Sequence, residues 1–143
     1  MAHTTGNDFE LIVIVDRKDI RTRDYLEAST DQYTGLIPVL NSAPSGISQA
    51  YNLGAEAARG DTLVFMEYDV VVTPGWLDTL LQHLDDPHVG LVCPATNASQ
   101  DQCLIEAGYE DLSGLPAFAQ QNARQHRGQT IELRSVSLFF AAM

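Results

Sequence analysis

Apolar positions along the chain fall into short runs whose spacing switches repeatedly between strand and helix periods. Leu11 to Val15 is a continuous, largely β-branched run that stops at Asp16, the pattern of a strand covered on both faces in a parallel sheet. Arg21 to Ala28 reads as a short helix and Leu36 to Leu40 as a second strand, in which Pro38 points to an edge or a distorted start. Ser45 is a candidate N-cap, and Ile47, Ala50, Tyr51, Gly54 and Ala58 then recur at helical spacing with side chains small enough for close packing. Gly60-Asp61 ends that helix, and Thr62 to Met66 forms a further apolar run leading into Glu67, Tyr68 and Asp69.

Val70 to Val72 continues as an extended segment. Thr73 can then cap, and Pro74 open, a helix through Leu84 whose apolar face is Trp76, Leu77, Leu80, Leu81 and Leu84. Asp86-Pro87 breaks it, and Val89 to Cys93 is predicted as a fourth strand closed by Pro94. Thr96 to Leu115 reads as a long loop, Pro116 to Arg127 as an amphipathic helix, and Ile131 to Phe140 as a last strand. In that strand the alternation shifts phase between Leu133 and Val136, which suggests a bulge or bend. Strands alternating with helices predict an α/β/α sandwich with a mostly parallel sheet. Ligands of such sheets bind outside the carboxyl ends of the strands. That rule selects Asp16, Glu67 and Asp69.

A length of 143 residues suits a single domain spanning 1–143, with residues 1–8 expected to be disordered. No apolar run is long enough to cross a bilayer, and the first residues lack the basic and apolar regions of a signal peptide. A cytoplasmic protein is the expectation. The formal net charge of -11 excludes nucleic acid and anionic membrane as general partners. Between Arg59 and Arg124 there are ten carboxylates and no Lys or Arg. A phosphorylated ligand held in that stretch therefore calls for a divalent cation as intermediary, although most of these acids read as a solvated surface. Cys93 and Cys103 read as reduced thiols, and the four histidines show no zinc-ligand spacing.

Local sequence leaves two readings for each acid. Asp16 either caps the next turn or accepts a hydrogen bond from a nucleoside ring N–H or ribose hydroxyl. Glu67 and Asp69 are either turn residues or ligands of Mg²⁺ or Mn²⁺, cations that take few protein carboxylates and fill their remaining positions with water and phosphate. On an extended segment the two acids point to opposite sides, so sharing a metal requires the backbone to turn between them or one acid to act through water. Asp69 is the better direct ligand. Asn52, on the proposed helix near Gly54, is either a solvated polar residue or a contact to the nucleotide or the acidic loop.

In order and spacing, Ile14-Val15-Asp16, Asn41, Gly46 to Gly54, Ala58 to Asp61, Leu63 to Asp69, Pro74 to Leu77 and Val89 to Pro94 resemble glycosyltransferase family 2, of the GT-A fold. The likeness runs from about Phe9 to Asn97 and more faintly to Ser137-Leu138-Phe139-Phe140. It implies that Asp16 contacts the nucleoside and that Glu67-Tyr68-Asp69 stands where the family's D-x-D-like motif binds a cation and the diphosphate of a nucleotide-diphospho-sugar. Glu67 replaces the more usual Asp or Asn, and Tyr68 takes the variable middle position. The implied chemistry is inverting transfer to an acceptor hydroxyl, on a saccharide, a lipid-linked molecule or a protein. Relative to the family, the usual first strand has no counterpart before Leu11, and the acidic motif that supplies the general base has none before Met143. A truncated or minimal GT-A domain is expected, with no catalytic residue named. The alternative is a noncatalytic nucleotide- or protein-binding module on a degenerate GT-A scaffold. A flavodoxin-like or dinucleotide-binding Rossmann protein is disfavoured, because no G-x-G-x-x-G or Walker-type loop follows Asp16.

Overall fold

The computed structural model describes residues 9–42, 46–98, 102–133 and 140–143. Its elements are β1 (Leu11–Asp16), α1 (Ile20–Ser29), β2 (Leu36–Asn41), α2 (Ile47–Ala57), β3 (Val64–Met66), α3 (Trp76–Leu84), α4 (Leu115–Gln125) and β4 (Phe140–Ala142). The described residues up to Leu63 form one compact unit and those from Val64 to Met143 another. Among the described residues no helix is long and apolar enough to cross a membrane.

The first unit is the βαβα order that the alternation predicts. β1 and β2 pair in parallel, from Leu11 opposite Leu36 to Asp16 opposite Asn41. Pro38 is tolerated within β2 because that strand has one sheet neighbour among the described residues. Asp19 caps α1 by accepting a hydrogen bond from the Thr22 N–H at 3.1 Å, and the helix buries Leu26 and Ser29. Gly35 returns the chain into β2 with φ +86°, a left-handed conformation, and a Cβ there would lie 3.1 Å from the Phe9 carbonyl oxygen. α2 packs on both strands, and Gly54 faces Ile14. Ala50, Tyr51 and Gly54 of its predicted face are half-buried, but Ile47 is 52% exposed in the first turn. The helix starts after Gly46, which supplies no side-chain cap; the expected cap, Ser45, lies outside the described residues.

A charged clasp ties the end of α2 to the start of β1. Arg59 donates its backbone N–H to Glu10 Oε1, and its guanidinium lies 2.9 Å from Glu10 Oε2. The hydrogen bond from the Arg59 backbone, and then that from its side chain, hold the Glu10 carboxyl below its ordinary value of 4.5. A carboxyl depressed on folding adds stability that is fully present above the unfolded value and lost as pH falls through the folded one. Between pH 6 and pH 3 the urea midpoint, followed by far-ultraviolet circular dichroism, should therefore fall further in the wild-type chain than in Glu10→Gln. Equal falls in the two proteins would show that the clasp is not the acid-sensitive element.

The second unit holds the antiparallel part of a chain whose alternation predicts a mostly parallel sheet. β3 and β4 pair antiparallel, with Val64, Phe65 and Met66 opposite Ala142, Ala141 and Phe140. The predicted fourth strand, Val89 to Cys93, contracts to a bridge at Val92, which exchanges backbone hydrogen bonds of 2.8 and 2.9 Å with Ala142. Of the predicted last strand, Ile131 to Phe140, the described part that is strand is Phe140, the first residue of β4. Its forecast bulge falls on residues outside those described, while 131–133 form no strand. Ala141 and Ala142 are fully buried, because a strand with neighbours on both edges and side chains packed over it has room only for small residues. The core gathers Leu80, Phe140 and Ala142, with Val64, Met66, Val70, Val72, Trp76, Leu84 and Val92 around them. α3 begins at Trp76, one residue after Gly75 at φ +77°, and not at Pro74, since a left-handed residue stops the helix from extending backwards. Its buried face, Leu77 and Leu80, belongs to the predicted one.

Candidate functional site

In the first unit the candidate residues are Asp16 and Asn52. Parallel pairing carries β1 as far as Asp16, so that its exposed side chain stands at the strand's carboxyl end. Asp16 Oδ1 accepts the Lys18 N–H at 2.9 Å and the Asp16 carbonyl accepts the Asp19 N–H at 2.8 Å. Asp16 thus forms the turn that a short carboxylate after a strand favours. One carboxylate oxygen is engaged in that turn, and the other is the one available for a ligand's N–H or O–H. Asn52 is exposed on α2, the helix that packs on β1 and β2.

Just beyond Asp16 lies a group that the sequence reading passed over. Arg17, Lys18, Arg21 and Arg23 are four of the chain's eight Lys and Arg residues, within seven positions. Their clustering in so acidic a chain was the signal that could have found them. Arg23 pairs with Asp24 at 2.7 Å and with Glu27 at 3.8 Å. Arg17, Lys18 and Arg21 are exposed and make no ion pair among the described residues. Asp19 stands among them with its carboxyl held low, first by the Thr22 hydrogen bonds, so the cluster retains a negative member.

The second unit carries Glu67 and Asp69. β3 ends at Met66, and the Glu67 carbonyl accepts the Val70 N–H at 3.3 Å, closing a reverse turn with Tyr68 and Asp69 at its centre. The segment 67–70 is therefore not extended, and the rule that would send Glu67 and Asp69 to opposite sides of a strand no longer applies. The backbone turns between the two acids, as sharing one cation would require. Glu67 is half-buried where the chain leaves the sheet, Asp69 is exposed, and Tyr68 is 100% exposed. Among the described residues no three His, Cys, Asp or Glu side chains group closely enough to enclose a metal ion. What the turn offers is a sparse pair of hard oxygen donors, the type of site that Mg²⁺ or Mn²⁺ completes with water and phosphate oxygens. A shallow groove of about 480 Å³ beside α4, lined by Gly108, Tyr109, Asp111, Gly114 and Phe118, contains none of the four candidate residues.

Comparison with known proteins places these features in a wider setting. Residues 1–138 match the sequence model of a family described as glycosyl transferase family 2. Among characterised relatives, polypeptide N-acetylgalactosaminyltransferase 3 of Drosophila melanogaster is 31% identical over 97 residues, covering 64% of this chain and 14% of the relative. Polypeptide N-acetylgalactosaminyltransferase 5 of Rattus norvegicus is 32% identical over 95 residues, covering 64% of this chain and 10% of the relative. A probable N-acetylgalactosaminyltransferase 9 of Caenorhabditis elegans is 32% identical over 68 residues, covering 48% of this chain and 12% of the relative. The matched segment is thus a small part of each relative's length. No solved structure matches the chain.

Proposed function

The chain belongs to glycosyl transferase family 2 and has its GT-A type of α/β fold, and from that premise we propose that it binds a nucleotide-diphospho-sugar through a divalent cation and transfers the sugar to an acceptor hydroxyl with inversion. The observation that carries this reading is the reverse turn after β3, which presents Asp69 and Glu67 at the end of a strand. In this reading Asp69 is the direct cation ligand, and Glu67 supports it directly or through water. Asp16 offers its second carboxylate oxygen to the nucleoside, and Asn52 contributes a polar contact from α2. When bound, the cation supplies Lewis-acid stabilisation of the departing diphosphate. The general base that deprotonates the acceptor is not assigned to any of these residues.

The test is incubation with UDP-, GDP- and dTDP-sugars and Mn²⁺, with an N-acetylgalactosamine donor in the panel because the relatives are named for that sugar. Release of nucleoside diphosphate, including slow hydrolysis to water, is the expected result, and the product's anomeric configuration is read by NMR. Retained configuration would overturn inversion. The second reading is a noncatalytic nucleotide- or protein-binding module, in keeping with a chain whose matched segment is 14% or less of the length of the relatives named above. Thermal stabilisation by a sugar nucleotide with no release from any donor would decide for that module.

A further inference from the structure

Tyr68 has no structural reason to be a tyrosine. Its side chain is 100% exposed, so it fills no part of the core. It stands at the first central position of the turn from Glu67 to Val70, where proline, not an aromatic residue, is the favoured former. β3 has already ended at Met66, so strand propensity does not ask for it either. Val71, three residues on, is 56% exposed as well. An aromatic ring is a large surface to leave in water, on the order of 150 to 250 Å² when buried. What remains is contact with a molecule outside the chain.

The flanking groups narrow that molecule's chemistry. Tyr68 lies between two carboxylates, Glu67 and Asp69. An aromatic face is negative, which favours the partial positive charge of C–H groups over the ring. An apolar protein surface docking here would strip water from two carboxylates without compensation, a costly exchange. A pyranose ring suits the site better. Its C–H face can lie on an aromatic ring, and a hydroxyl on its rim can donate to a carboxylate oxygen that the cation leaves free.

We propose that Tyr68 stacks on the sugar ring of the donor and distinguishes a sugar nucleotide from the bare nucleoside diphosphate. This rests on the donor-binding reading above. The test measures binding by titration calorimetry in Mn²⁺ for three pairs: UDP with UDP-N-acetylgalactosamine and UDP-glucose, GDP with GDP-mannose, and dTDP with dTDP-glucose. Wild type, Tyr68→Ala and Tyr68→Phe are compared. Wild type should bind the sugar nucleotide of one pair more tightly than its nucleoside diphosphate. Tyr68→Ala should lose about three- to tenfold of that preference, leaving nucleoside diphosphate affinity in place, and Tyr68→Phe should keep the preference because the ring carries it. Melting temperatures should agree among the three proteins, since the side chain is fully exposed. A preference unchanged in Tyr68→Ala, or lost equally in Tyr68→Phe, overturns the assignment and leaves donor binding standing. Wild type that binds bare nucleoside diphosphate as tightly as every sugar nucleotide also overturns this inference alone, whereas wild type that binds no nucleotide at all overturns the donor reading with it.

Discussion

Asp69→Ala should weaken Mn²⁺-dependent binding of a nucleoside diphosphate by about a hundredfold, at the upper end of the losses seen when even a supporting group of a metal site is removed. Asp69 is exposed in the turn after β3, so the substitution opens no cavity and the melting temperature should not move. The size of the effect follows from how few oxygens the turn contributes. A hard cation that keeps most of its water depends on each protein carboxylate it does take. No Lys or Arg lies between Arg59 and Arg124 to take over the neutralisation of phosphate from within that stretch. Glu67→Gln keeps an oxygen at its position and should cost about tenfold. Calorimetric titration of UDP, GDP and dTDP with and without Mn²⁺ reads both. Affinity unchanged in Asp69→Ala would remove the cation from this turn.

Leu80→Ala should destabilise the unit from Val64 to Met143 by about 2 to 5 kcal/mol. Leu80 is 4% exposed and lies against Phe140 and Ala142 at the centre of that unit's core. Little around it can collapse into the vacated space. Ala142 offers only a methyl group, and the Phe140 ring is held against Trp76 with centroids 5.3 Å apart. Trp76 is the chain's only tryptophan, so its fluorescence in urea reports this unit and not the β1–β2 unit. A shift in midpoint corresponding to less than about 1 kcal/mol would mean that Leu80 is not a core residue in solution.

The helices were legible because their signals are local. Gly60 follows the end of α2, and Trp76, Leu77, Leu80 and Leu84 share one face of α3 through spacing alone, whereas the Asp19 cap of α1 emerged only in the structure. β1 and β2 were legible for a related reason: two apolar runs joined by one helix leave parallel pairing as the natural outcome. The boundaries failed where conformation overrode residue preference. Gly75 in a left-handed conformation starts α3 after Pro74, which the sequence had placed inside the helix.

The candidate site divides in the same way. That carboxylates stand at the ends of β1 and β3 follows from the sequence by itself, since an apolar run that stops at an acid marks a strand end. Family membership was also determined there, by the order and spacing of short segments along the chain. Only the tertiary structure decided that β3 takes β4 as an antiparallel partner, that Val89 to Cys93 contributes one bridge in place of a strand, and that the chain turns back between Glu67 and Val70. The physical reason is range. An apolar run specifies that a strand is to be covered but not which distant segment covers it, and pairing Val64 with Ala142 closes a loop of most of the unit's length. The turn at Tyr68 follows the end of that pairing, so the extended geometry that would set Glu67 and Asp69 on opposite sides does not apply.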